Sequence, residues 1–264
     1  MDLKAAHSVN RIFEFLEKLN LIEHTPAFIS DYHTVYPELK NLEQHYPEIR
    51  KECEALLIDH GRITNMEDIL TYTKGGIHAI KWKSYILKLG DQMIVQNCER
   101  CPMLSGLLEK IPRIRNALFS ILEGHQYISP HWGYYHGYLR YHLGVITPNN
   151  NADQNCWIRV CSNDKYNCLR YQKQMNYDTS INKDLYRSIL DQYGQQYFWK
   201  DGEGCVFNDN YLHDASNTSQ QLRVVLFIDL DRPLTKIPNA LNQFLQSQLY
   251  RTKMVKQARK NVVV

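Results

Sequence analysis

No stretch of the 264-residue chain approaches the roughly 20 consecutive apolar residues of a membrane span. The opening residues, MDLKAAHSVNRIFEF, carry acids where a secretion signal has its apolar core. A soluble, cytoplasmic or otherwise intracellular protein is expected, with neither signal peptide nor membrane span. A strong charge of one sign is also missing. Thirty-one lysines and arginines face 28 aspartates and glutamates, a net +3, so global charge gives no reason to expect a nucleic-acid partner. Internal repeats and low-complexity tracts are absent too. The seven cysteines, an odd number scattered along the chain, do not form the disulfide framework of a small secreted domain, and a reducing compartment suits them better. Cys98 and Cys101 make one CxxC, but no second pair stands at zinc spacing and no thioredoxin-like strand and helix surround it, so the pair reads as structural rather than metal-binding or redox-active.

What the chain does have is tyrosine, 18 against 8 phenylalanines, which supplies large walls with polar tips. Residues 9 to 22 space Val9, Ile12, Phe13, Leu16 and Leu19 as one face of an amphipathic helix. Residues 37 to 58 read as two helical pieces, with Pro47 in the first turn of the second. Beyond about residue 75 the pattern changes to short β-branched or aromatic runs bounded by turn residues, at 82–90, 116–122, 138–148, 156–161, 204–209 and 222–230. Six such strands predict a β-sandwich or jelly roll. Segment 162–197 interrupts them with an inserted helix, NKDLYRSILDQYG, between an N-cap candidate, Asn182, and Gly194. After Pro238 a last helix runs into a basic tail. Lys253, Lys256, Arg259 and Lys260 suit a helix C-terminus through its dipole and need no membrane or nucleic acid to explain them. The expected organisation is a helical extension (1–75), a β domain (76–235) carrying the insertion 162–197, and a C-terminal helix with its tail (236–264).

Polar residues inside the apolar strands carry the chemistry. In YLRYHLGVI, alternation sets Leu139, Tyr141, Leu143 and Val145 on one face and Tyr138, Arg140, His142 and Gly144 on the other. Arg223 opens LRVVLFIDL, which is apolar on both faces and so predicts a strand covered on both sides, where an unpaired guanidinium is costly. Its counter-ion is either a structural carboxylate, Asp229 or Asp231, or the carboxylate of a small acidic ligand held by a bidentate fork. His131, in SPHWGYYHGYLRYHLG, and His213, in FNDNYLHDASN, both stand at strand edges, where sites are commonly built. Taken singly, each is as well explained as a structural histidine.

The order Ser120, His131, LRYHLG, DGEGCVFNDNYLH, Arg223, with YPELKNLEQHYPEIRKE, KWKSYILKLG and CPMLSGLLEKIP upstream, resembles the aspartyl/asparaginyl β-hydroxylase family of iron- and 2-oxoglutarate-dependent dioxygenases. The resemblance runs from about residue 34 to 235. It implies an α+β fold with a mainly β core, a double-stranded β-helix (jelly roll, cupin-like) with N- and C-terminal helices. It implies ferrous iron held by His131 and His213, with 2-oxoglutarate and oxygen as co-substrates. Arg223 and Ser120 would hold the distal carboxylate of 2-oxoglutarate, and His142 and Arg140 would contact the co-substrate or an acidic group of the substrate. Trp82 aligns with a tryptophan near the substrate pocket, though an aromatic at a strand start serves equally well as core. His136 matches no ligand. Where related oxygenases carry H-x-D or H-x-E as the carboxylate of a facial triad, this chain has Gly133, a gap shared with the aspartyl-hydroxylase branch, which leaves that position to water. Asp209 is either an acceptor that orients an imidazole or a turn aspartate.

The implied reaction converts 2-oxoglutarate to succinate while a C–H bond becomes C–OH. The first substrate expectation is the β-carbon of aspartyl or asparaginyl residues in a peptide or protein. A second is an acyl lipid, because lipid A acyl-chain hydroxylases share features echoed by RYHLGVITPNN and DLDRPL, although they carry aspartate at the position of Gly133. A third is a jelly-roll protein whose histidines bind metal without turnover. Substrate choice is expected to lie in the insertion.

Overall fold

The computed structural model describes residues 3–59, 63–69, 81–133, 135–167 and 183–262. The expected boundary at 75/76, the N-cap candidate Asn182 and the middle of the insertion, 168–182, lie outside these. Twelve strands occur among the described residues: β1 (Phe28–Ile29), β2 (Thr64–Asn65), β3 (Trp82–Leu89), β4 (Gln92–Met93), β5 (Ile114–Leu122), β6 (Gln126–His131), β7 (Tyr138–Ile146), β8 (Cys156–Cys161), β9 (Gly194–Phe198), β10 (Gly204–Phe207), β11 (His213–Asn217) and β12 (Arg223–Asp231). They form two antiparallel sheets. The larger runs β1-β10-β7-β12-β5-β3-β2, with β4 on β3, and the smaller runs β6-β11-β8-β9. The architecture is α+β and dominated by these sheets.

Period-2 alternation decides what each face of the large sheet meets. Val224, Leu226, Ile228 and Leu230 of β12 share one cluster with Leu139, Tyr141, Leu143 and Val145 of β7, Phe119 and Ile121 of β5, and the helices Leu39–Gln44, Tyr46–Asp59 and Pro102–Glu109. The other face, with Val225, Phe227, Leu118, Leu122, Ile86 and Phe207, packs against Ile128, Ile158, Val160 and Ala215 of the small sheet. Every residue of β12 is buried, as expected for a central strand covered on both sides. Arg140, His142 and Arg223 therefore stand on the strand faces directed between the sheets.

The helices differ in detail from the sequence reading. The first spans Leu3–Lys18 and ends earlier than its hydrophobic period suggests. Asn20 adopts φ 54°, and the Leu21 N–H closes back on the Leu16 carbonyl at 2.9 Å, a left-handed helix stop that asparagine tolerates. The helix after Thr235 begins at Lys236, with Pro238 inside its first turn, where a missing N–H costs nothing. The inserted helix, Lys183–Tyr193, lies over the outer side of the small sheet through Tyr186, Ile189 and Leu190.

Candidate active site

The two histidines are brought together by strand pairing. β6 ends and β11 begins at one rung of the small sheet, where His131 and His213 are Cα partners, and their ring centroids lie 4.1 Å apart. His131 Nδ1 is 2.8 Å from the Ser129 carbonyl and His213 Nδ1 is 2.7 Å from the Tyr211 carbonyl. A carbonyl oxygen only accepts, so each ring donates its Nδ1–H, and Nε2 is the nitrogen that a metal could use. Both bonds are made to the backbone two residues upstream, so the strand itself sets the tautomer.

Asp209 approaches the pair from the turn before β11, its Oδ1 3.2 Å from His213 Nε2. Since Nδ1 already carries a proton, that contact needs a second proton, or another cation, between nitrogen and carboxylate. The same oxygen is bonded by Arg140 Nη1, while Arg140 Nε donates to Asp229 Oδ1 at 2.9 Å and the guanidinium lies 3.9 Å over the Phe227 ring. Burial alone would raise the Asp209 carboxyl, but Arg140 and the two imidazoles outweigh it and hold that group well below the usual carboxylate range. For Asp229 burial wins, and its carboxyl is raised. A Cβ on Gly133 would overlap Asp209 Oδ2, and the Gly133 N–H donates to the Asp209 carbonyl at 2.7 Å. The space beside the H-x-G backbone thus belongs to Asp209. Among the described residues, no group of three or more histidine, cysteine, aspartate or glutamate side chains is placed to hold a metal ion.

Arg223 lies on the same face of the large sheet, 1% exposed. Its Nη1 donates to the Ser120 carbonyl at 3.2 Å, its guanidinium sits 4.4 Å over the Trp199 ring, and its Nε meets no partner among the described residues. The structural carboxylates weighed as counter-ions are engaged elsewhere: Asp229 with Arg140 and Asn116, Asp231 with Arg115, Gln243 and Gln246. Burial pushes the guanidinium down to about 10. His142 stands beside it, 5.7 Å from Trp199 and 5.0 Å from Phe207 between ring centroids, with neither ring nitrogen partnered among the described residues. Burial, together with Arg140 and Arg223, holds His142 well below its ordinary value, so the ring is neutral. Ser120 Oγ accepts from Trp82 Nε1 at 2.9 Å, which leaves the serine hydroxyl its own hydrogen to donate.

The model of the family described as aspartyl/asparaginyl beta-hydroxylase matches residues 43–187 and 188–233. The chain belongs to that family. It is therefore an enzyme, a hydroxylase. Curated family relatives include the ornithine lipid ester-linked acyl 2-hydroxylase of Rhizobium tropici, 29% identical over 95% of this chain and 77% of that protein. The human aspartyl/asparaginyl beta-hydroxylase is 24% identical over 76% of this chain but only 22% of its own length. Among solved structures, a prolyl hydroxylase from Trichoplax adhaerens aligns with a TM-score of 0.45 and 10% identity, over 87% of this chain and 92% of that one, a likeness too slight to carry a conclusion.

The geometry gathers His131 with His213, and Ser120 with Arg223 beside His142. Trp82 sits on the hydroxyl of Ser120 and is buried. Arg140, expected to contact the co-substrate or an acidic group of the substrate, is paired with Asp209 and Asp229. His136 is tied elsewhere, to Asn210 through Nδ1 at 2.7 Å and to Glu17 through Nε2 at 3.3 Å, with its ring stacked on Phe13. Trp199 was not legible from the sequence. In QQYFWKDGEG it has no periodic signal, and its place beneath Arg223 is a tertiary fact.

Proposed function

We propose that this hydroxylase binds ferrous iron through Nε2 of His131 and His213 and holds 2-oxoglutarate against Arg223, on a double-stranded β-helix formed by the two sheets. The observation that carries this reading is Arg223, a guanidinium 1% exposed whose possible structural counter-ions are bound to other residues. A buried charge of this kind remains costly until an anion completes it. The donors at hand suit a carboxylate: the Arg223 fork, the Ser120 hydroxyl, and one N–H of neutral His142. Iron supplies, when bound, the coordination positions at which oxygen and the 2-oxo acid react. The protein's share is to fix the imidazole tautomers, exclude water with Phe207 and Phe227, and set one C–H bond within reach. The overall change consumes 2-oxoglutarate, oxygen and R–H, and yields succinate, carbon dioxide and R–OH.

For the substrate we infer the 2-position of an ester-linked acyl chain. Two observations support it. The lipid hydroxylase of Rhizobium aligns with nearly the whole chain, and Arg140, the cation expected to greet an acidic residue, is already neutralised by Asp209 and Asp229. The β-carbon of an aspartyl or asparaginyl residue is the second reading, favoured by the glycine at position 133. The two share one chemistry, since each target methylene adjoins a carbonyl carbon. Ester-linked acyl lipids and aspartyl or asparaginyl peptides, each incubated with iron, 2-oxoglutarate and air, are to be followed by succinate release and a mass gain of one oxygen. The lipid should gain it. A peptide alone gaining it would replace the first substrate reading with the second, and succinate from neither would count against turnover on both.

A further inference from the structure

Trp199 is fully buried where the chain leaves β9 for β10. Its backbone is pinned on both sides: the N–H donates to the Cys156 carbonyl at 3.3 Å, and the carbonyl accepts from Asn151 Nδ2 at 2.9 Å. The indole Nε1–H, however, has no partner among the described residues. Core tryptophans ordinarily find an acceptor, and phenylalanine would fill such a site without the penalty. The unpaired donor is not isolated. Arg223 lies 4.4 Å over the same ring and His142 is 5.7 Å from it, and Arg223 Nε and both His142 nitrogens are likewise unpartnered. Three neighbouring side chains therefore present three N–H donors and one lone pair, beside the rings of Phe207 and Phe227. A carboxylate has the complementary character, two oxygens that only accept.

We infer that Trp199 is a co-substrate-binding residue: its indole N–H donates to the distal carboxylate of 2-oxoglutarate that Arg223 grips, while its ring face holds the guanidinium in place. This rests on the 2-oxoglutarate reading above. It gives the buried tryptophan a role that phenylalanine cannot fill. It also makes the second carboxylate of the keto diacid a requirement of the pocket.

The test is Trp199→Phe, which keeps the ring face and removes the donor, in the full chain loaded with manganese(II) and titrated calorimetrically with 2-oxoglutarate. The dissociation constant should rise about tenfold or more, the range for a hydrogen bond to a charged group, and the melting temperature without 2-oxoglutarate should not fall. With 2-oxopentanoate, which lacks the distal carboxylate, wild type and variant should bind alike. Unchanged affinity for 2-oxoglutarate, or equal losses for the two acids, overturns the inference. Wild type that binds manganese but not 2-oxoglutarate sinks the co-substrate reading itself, a result distinct from the other two. If the variant does not fold, the zinc-loaded wild type answers instead: the Trp199 indole proton resonance should move downfield on adding 2-oxoglutarate, and an unmoved resonance refutes the contact.

Discussion

Arg223→Met and Arg140→Met should differ sharply in their effect on stability, although both remove a guanidinium from the same face of paired strands. Arg223 is charged, buried and without a carboxylate partner among the described residues, and its pKa is pushed down to about 10. At about 1.4 kcal/mol for each pH unit, keeping it charged at neutral pH costs of the order of 3 kcal/mol. That penalty is present in full below about pH 10 and is relieved as the pH rises further, because the unfolded chain holds the proton more tightly. Methionine, similar in length and apolar, removes the penalty but also the bond to the Ser120 carbonyl and the stacking on Trp199, together worth about 2 kcal/mol. The balance is a protein as stable as wild type, or about 1 kcal/mol more so, which is a rise of roughly 2–4 °C in melting temperature. Arg140→Met instead leaves Asp209 and Asp229 buried without their shared cation. Its expected loss is about 3–5 kcal/mol, or roughly 10 °C. Urea and thermal unfolding read both. A second arm adds 2-oxoglutarate to metal-loaded protein: wild type gains about 2.7 kcal/mol at a hundred times its Kd, and Arg223→Met gains nothing. A loss of about 3–5 kcal/mol from Arg223→Met would mark a broken structural ion pair and refute the reasoning.

His213→Ala should abolish ferrous-iron binding measured by calorimetry under argon, while His136→Ala keeps it and lowers stability, since His136 packs on Phe13 and bonds Glu17 away from the paired rings; equal losses of iron in both would undo the ligand assignment. Gly133→Ala should drive Asp209 off its position and cost about 1–3 kcal/mol, the range for overpacking, together with weakened metal affinity; full wild-type affinity in a stable variant would show that Asp209 does not orient the site. Glu17 is held down to about 2, because His136 and Arg232 outweigh the opposing effect of its burial. A carboxylate lowered in this way contributes stability above its ordinary range and loses it as the pH falls towards about 2, so Glu17→Gln should flatten the acid limb of the stability curve between about pH 5 and 2. An unchanged limb would show that the contact of the first helix with Arg232 contributes nothing there.

Much of the large sheet was readable because its strands are buried on both faces and rich in Val, Ile, Leu and Phe. The runs at 82–90, 116–122, 138–148 and 222–230 became β3, β5, β7 and β12, and alternation placed Arg140 and His142 on one face. The two strands carrying the histidines were harder. β6 reads QYISPH and β11 reads HDASN; both are short and polar, and β6 contains a proline, so propensity gave no signal and pairing across the small sheet had to supply it. Arg223 was legible as a charge in an apolar run, because the physics of burial marks it wherever its partner lies. The roles of Arg140 and Trp199 were not, since they depend on which of several aspartates and aromatic rings the fold sets beside them.

The glycine of H-x-G and the aspartate before His213 are best understood as one feature. A carboxylate on residue 133 and the Asp209 side chain would claim the same space, since even a Cβ there meets Asp209 Oδ2. With Asp209 present, position 133 is confined to glycine by contact alone, whatever the metal requires. Asp209 in turn is held by Arg140, so the negative charge near the imidazoles is shared with a guanidinium that Asp229 also claims. A carboxylate divided in this way is a weaker donor to a cation than a free one, because its charge is already met. The bonds from Nδ1 to the Ser129 and Tyr211 carbonyls fix both imidazole tautomers within the strands themselves, and on the proposed reading they carry correspondingly more of the metal affinity.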